Sequence, residues 1–335
     1  MRWHEAIHHR LAFTLLLVVW VCALAGGAGP ARAADGAAAQ DPCGLVTAAE
    51  AETVLGEPLA GPPFRASNRE PDVAGDTCRY EMSGFRAVVL RVEWKDGGRT
   101  FGLMNMVGSV ASKGGLKGVV TLSNGTALHG EWDEARLFQC CEFNALRGDQ
   151  LVVVDVSGSS ATVEQAAALA DLAVKRLDQP LSIDDTAGRA AAEERAKARP
   201  AIVSACDLVP RAEAEAIIGG PLATDPRGDE SSCDYAWVAP GTDYQQQMTL
   251  SVTWRGGLSE MRTTLAQMGQ ALKFIASQGL PADQKQQSGT GPFDEEASSM
   301  IGVMGVRKDV LLSIETGGTG NDIASAFIAA AAKKL

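Results

Sequence analysis

Cys43-Gly-Leu-Val-Thr-Ala-Ala-Glu-Ala-Glu-Thr-Val-Leu-Gly-Glu-Pro-Leu59 returns later in the chain as Cys206-Asp-Leu-Val-Pro-Arg-Ala-Glu-Ala-Glu-Ala-Ile-Ile-Gly-Gly-Pro-Leu222. Ten of these 17 positions are identical at a constant offset of 206 − 43 = 163, far above chance. Each copy then carries Cys-x-Tyr, at Cys78 to Tyr80 and at Cys233 to Tyr235. A run ending in tryptophan follows, with Val88, Leu90 and Val92 before Trp94, and Met248, Leu250 and Val252 before Trp254. The residues between them are mostly polar or charged, such as Arg91, Glu93, Thr249 and Ser251. Alternation with a period of two marks a strand with one face on a core. Copies of about 140 residues are too long for solenoid repeats and read as tandem domains.

The rest of each copy supplies helices and further strands. Thr47-Ala-Ala-Glu50 is a capping box that opens a short helix ending near Gly56-Glu-Pro58. In the second copy Pro210 replaces Thr47, and proline also suits a helix start. Thr100 to Ser112 and Ser259 to Gln278 read as helices after the tryptophan strands. Two more strands per copy meet through Arg147-Gly-Asp149 and Arg307-Lys-Asp309, and the runs Leu151 to Val156 and Val310 to Ile314 suit inner strands. Thr162-Val-Glu-Gln165 and Asn321-Asp322 open the closing helices. Helices grouped around consecutive antiparallel strands predict an α+β class, each domain an antiparallel β-sheet packed with helices. The expected boundaries are 1–33 for a signal peptide, 34–180 for the first repeat, 181–200 for a linker and 201–335 for the second repeat. Asp184 to Pro200 has almost no apolar residue larger than alanine, which fits a linker or a solvated helix.

Of the 335 residues, the first 33 read as an export signal: a basic start with Arg2 and Arg10, an apolar run from Leu11 to Ala25, then Ala31-Arg32-Ala33. Cleavage after Ala33 is expected, and a periplasmic or secreted location with it. Cys22 follows Val21, a poor setting for lipid attachment. The apolar run is short for a permanent anchor, which needs ~20 residues, and no comparable run follows, so no membrane span is expected after cleavage. Hydrophobic content of 46% and charged content of 21% exclude a disordered or fibrous chain. Net charge is −11, and losing Arg2, Arg10, Arg32 and Glu5 lowers it further. Such a balance argues against nucleic acid and anionic membrane surfaces as partners.

Six cysteines remain: Cys43, Cys78, Cys140, Cys141, Cys206 and Cys233. Export favours disulfides. The matched places of four of them select Cys43–Cys78 and Cys206–Cys233 from the possible pairings. Each bridge ties the first helix of its copy to the first strand. Cys140-Cys141 has no counterpart in the second copy. Neighbours on a strand point to opposite faces, so Cys141, sharing parity with Leu137 and Phe143, faces the core and Cys140 the other side. The pair reads first as two unrelated thiols. A redox-active vicinal disulfide and intermolecular pairing through Cys140 are the alternatives.

His129 is the sole histidine outside the signal, so any triad must pass through it. It sits near a strand edge and reads as a surface residue. Multi-histidine metal sites are excluded within one chain, no C-x-x-C spacing is present, and no cofactor is expected. Gly317-Gly-Thr-Gly320 lacks the lysine of a phosphate loop, and Asn124-Gly125 reads as a turn. Glu50, Glu52, Glu213 and Glu215 diverge around a helix and read as caps rather than paired catalytic carboxylates.

The motif Cys-x-Leu-Val-x-x-x-Glu-x-x-x-x-Leu/Ile-Gly-x-Pro, with Cys-x-Tyr and a tryptophan strand, resembles a domain-of-unknown-function family of small secreted proteins and lipoproteins of high-GC bacteria. The likeness covers the first 50 or so residues of each copy. It implies a PsbP-like α/β sandwich, an envelope location and no established catalytic residues. The functional expectation is an exported, non-catalytic binding module for a protein or cell-envelope ligand. The alternative is a thiol-redox or other enzyme using Cys140, Cys141 or His129.

Overall fold

The structure, a computed structural model, describes residues 40–67, 75–107, 112–113, 117–122, 125–138, 140–239, 241–277, 284–287, 293–299, 302–315 and 321–335. The expected signal peptide, the cleavage site after Ala33 and the Gly317 to Gly320 run lie outside these residues. Asp41–Leu335 form one compact unit.

The first half begins with a 3-10 turn at Pro42–Gly44 and helix α1 (Ala48–Leu55). Thr47 and Glu50 form the expected capping box, and Gly56 ends the helix in the left-handed conformation at φ 74°. Strands β1 (Phe64–Ala66), β2 (Thr77–Glu81) and β3 (Ala87–Glu93) follow, then helix α2 (Gly97–Val107). A small sheet comes next, from β4 (Ser112–Lys113), β5 (Val119–Leu122) and β6 (Ala127–His129). Strands β7 (Glu134–Phe138), β8 (Glu142–Arg147) and β9 (Gln150–Asp155) lead to helix α3 (Val163–Lys175), opened by the Thr162 and Gln165 capping box. The main sheet is antiparallel, in the order β1-β2-β3-β9-β8-β7.

Helix α4 (Thr186–Ala196) bridges to the second half. That half contains α5 (Ala205–Leu208), α6 (Arg211–Ile218), β10 (Arg227–Gly228), β11 (Ser232–Val238), β12 (Gln245–Thr253) and α7 (Gly257–Ser277). It ends with β13 (Gln284–Gln287), β14 (Glu295–Ser299), β15 (Gly302–Arg307), β16 (Val310–Glu315) and α8 (Asn321–Ala332). Its sheet runs β10-β11-β12-β16-β15-β14-β13, also antiparallel. The class is α+β.

Each half buries its own cluster. Cys78, Tyr80, Leu90, Val152, Val154 and Phe143 meet Leu169 and Ala173 of α3; Cys233, Tyr235, Leu250, Leu312 and Ile314 meet Phe327 and Ile328 of α8. The same polar contacts recur in both. Tyr80 Oη donates to Val46 O at 2.9 Å, and Tyr235 Oη to Val209 O at 2.9 Å. Arg147 and Arg307 each donate 2.6 Å hydrogen bonds to a carbonyl near the end of the closing helix, Val174 O and Ala332 O. Such carbonyls lack helical partners, so a guanidinium is well placed there. Burial pushes both tyrosine hydroxyls well above their ordinary value.

The four glutamates hold α1 and α6 in place. Glu50 pairs with Arg176 at 2.6 Å, which holds its carboxyl down at about 2, and Glu213 pairs with Lys334 at 3.0 Å. Glu52 and Glu215 accept the N–H of Leu59 and Leu222 at 2.9 and 3.0 Å. Residues 184–200 are not a free tether. Helix α4 docks on β1, with Arg195 gripping Glu81 of β2 at 2.6 Å and Arg65 of β1 and Arg189 both bonding Asp185. Glu81 and Asp185 are buried, so these pairs need their partners to offset desolvation. Composition missed this docking because the burying groups are long charged side chains rather than apolar ones. Among the described residues no helix is long and apolar enough to cross a membrane.

Candidate functional site

A hairpin in each half builds an aspartate cap for the helix that follows the tryptophan strand. In the first half Asp149 takes the Asp96 N–H at 2.9 Å, while its carbonyl accepts from Gly97 N at 2.9 Å. In the second half Asp309 O accepts from Gly257 N at 2.9 Å, and the Asp309 carboxylate takes the N–H of Gly256. A Cβ on Gly97 would lie 2.5 Å from Leu151 N, and one on Gly257 would lie 2.4 Å from Leu311 N. Only glycine lets helix and hairpin backbones approach this closely.

The surroundings of the two caps then diverge. Asp149 is exposed. Asp309 is 7% exposed, because residues of the first half close over it. Arg79, Phe85, Asp155 and Ser157 form one wall of a cleft of about 170 Å³, and Arg255, Ser259, Glu260 and Asp309 form the other. An adjoining cavity of about 340 Å³ shares Phe85 and Asp309 and adds Arg86, Asp294 and Glu295. The two halves touch directly at the cleft through Ser157 Oγ and Ser259 Oγ, 2.6 Å apart.

The Asp309 Oδ2 atom is buried and has no hydrogen-bond partner. Burial pushes the Asp309 carboxyl up, against the pull of the Gly256 N–H and the charges of Arg199, Arg79 and Arg255. Arg79 spends its Nε on Glu81 at 2.8 Å, and Arg255 spends one Nη on Trp254 O at 2.7 Å. An acceptor left unsatisfied in this way costs about 1–3 kcal/mol. The backbone is held unusually as well: Phe85, Lys308 and Asp309 adopt φ of 62°, 49° and 68°. Each such non-glycine residue costs about 1 kcal/mol or more, and such outliers gather at binding sites.

Beside the cleft lies the turn between β7 and β8. It carries a disulfide between Cys140 and Cys141, so the reading as two unrelated thiols is corrected. Alternation of faces holds only along a strand. Both residues sit instead in the turn between Phe138 and Glu142, where neighbouring side chains can converge. Cys141 packs against the first core, its carbonyl accepts from Val156 N at 2.9 Å, and Cys140 Sγ lies 3.8 Å from Arg262 O of α7. The turn therefore sits on the same seam as Ser157. Burial raises the adjacent Glu142 carboxyl, with Asp155 opposite it across the sheet adding to the shift.

The other two bridges are the expected ones, Cys43–Cys78 and Cys206–Cys233. They close long loops, with sequence separations of 35 and 27. His129 is exposed on β6, opposite Val119, and is not part of the cleft. Asp309 was legible in sequence only as a hairpin residue. The signal that pointed to it is the recurrence of Arg-x-Asp at 147–149 and 307–309. Comparison with known protein families, with curated proteins and with solved structures returns no match.

Proposed function

We propose that the chain is an exported binding module, freed by cleavage after Ala33, whose tandem domains arose by duplication and hold a cell-envelope ligand in the cleft between them. The observation that carries this reading is that Asp309, which lines the cleft, keeps a buried Oδ2 without a hydrogen-bond partner. A ligand that brings an O–H or N–H to this atom recovers the lost hydrogen bond. Three carboxylates, Asp155, Glu260 and Asp309, face two guanidiniums, Arg79 and Arg255, which selects against anions. A neutral hydroxylated or amine-bearing solute suits the lining, with the ring of Phe85 as an apolar wall. The three disulfides fit an oxidising compartment, and the resemblance to envelope domains points the same way.

The test is calorimetric titration of the 34–335 chain with neutral hexoses, amino sugars and short diamines. Binding by at least one of these classes is expected, with a tenfold or larger loss in Asp309→Asn, about 1.4 kcal/mol. Equal affinity in wild type and Asp309→Asn would place the ligand elsewhere. Silence from every probe and from fractionated envelope extract would remove the binding reading.

A further inference from the structure

We infer that the Cys140–Cys141 disulfide is a thiol–disulfide exchange site, reducible by an external dithiol while the other two bridges stay closed. Three observations support this. The bond joins neighbours, a sequence separation of 1 against 35 and 27 for the others, so it restrains almost nothing of the unfolded chain and is not a fold staple. It is also the bridge whose two ends both reach the surface. Cys43, Cys78 and Cys233 are fully buried and Cys206 is half-buried against the second core, whereas Cys140 and Cys141 are both half-buried at a turn. Finally, it touches the second half, since Cys140 Sγ lies against the Arg262 carbonyl.

The exchange balances without any other reactant. One thiolate of the dithiol attacks a ring sulfur, the S–S bond breaks, and the neighbouring cysteine leaves as a thiolate and takes a proton from water. The second thiol of the dithiol, deprotonated, then displaces the remaining cysteine, so the dithiol departs as a disulfide having given up two electrons. Reduction gives Cys140 an S–H that donates toward Arg262 O, where the bridged sulfur has no hydrogen to offer. The seam between the halves is thereby altered at α7.

The experiment is graded reduction of the folded protein with dithiothreitol, alkylation, peptide mapping, and hydrogen exchange on the product. Cys140 and Cys141 should label at least tenfold faster than any other cysteine. Amide exchange should rise at residues 138–142 and in the first turns of α7, with both cores unchanged. Cys140→Ser/Cys141→Ser should show the same exchange pattern without any reductant. Joint release of all three bridges, labelling only after unfolding, or a different partner for Cys140 in untreated protein would each overturn the inference. None of these outcomes depends on whether the cleft binds a ligand.

Discussion

The Arg147-Gly-Asp149 and Arg307-Lys-Asp309 hairpins cap their helices by the same contacts, yet one stays in water and the other is sealed beneath the opposite half. Asp149 has both carboxylate oxygens in reach of N–H groups, at 2.9 and 3.4 Å. Asp309 keeps a buried oxygen without a partner. Local sequence sets the cap, and the seam sets its energy. The same contrast separates the bridges: two lie in the cores and close long loops, while the third lies on the seam and closes none.

The largest expected effect tests the bridges. Removing Cys43–Cys78 or Cys206–Cys233 by paired Cys→Ala changes should lower unfolding free energy by about 3–4 kcal/mol. The paired change at Cys140 and Cys141 should lower it by about 1 kcal/mol. Denaturant unfolding of the three variants ranks them, and equal losses would erase the distinction between staple and seam.

Next come the buried tyrosines. Tyr80→Phe and Tyr235→Phe each orphan a buried carbonyl, so each should cost about 1–3 kcal/mol, with similar values in the two halves. A wide difference, read from thermal unfolding, would mean that the two cores are not equivalent.

The smallest effect is the most discriminating, because its sign differs between the halves. Asp149→Asn weakens an exposed helix cap and should cost about 0.5–1 kcal/mol. Asp309→Asn removes a desolvated charge and should stabilise the protein at neutral pH. The folded state raises the Asp309 carboxyl above its ordinary 3.8, so it binds that proton more tightly than the unfolded state does. Stability linked to Asp309 is therefore gained as pH falls through the window just above 3.8, and lost as pH rises through it. Calorimetric scans across this window should show the slope in the parent chain and its loss in Asp309→Asn. The parent slope surviving in Asp309→Asn would show that another group carries it.

Much of the fold was readable from residue patterns. The period-two runs before Trp94 and Trp254 became β3 and β12, and Thr47 with Glu50 and Thr162 with Gln165 became capping boxes. Helix ends shifted by a few residues: Thr100 to Ser112 was expected, and α2 occupies Gly97–Val107, its start fixed by the close approach of Gly97 to the hairpin. The small sheet β4–β6 was not anticipated, its strands being two to four residues long with little room for a period to show. The cleft was legible in none of its charges, since Arg79 and Asp309 meet across most of the chain.

The chain's own order of residues decided the elements, the pairing of four cysteines and the caps, because each depends on neighbours a few positions apart or on a motif written twice. Only packing in three dimensions decided that Cys140 bonds Cys141, that the Asp184 to Pro200 segment docks, and that one of two matched aspartates loses its water. Desolvation belongs to the space a group occupies, and residues more than a hundred positions apart create that space.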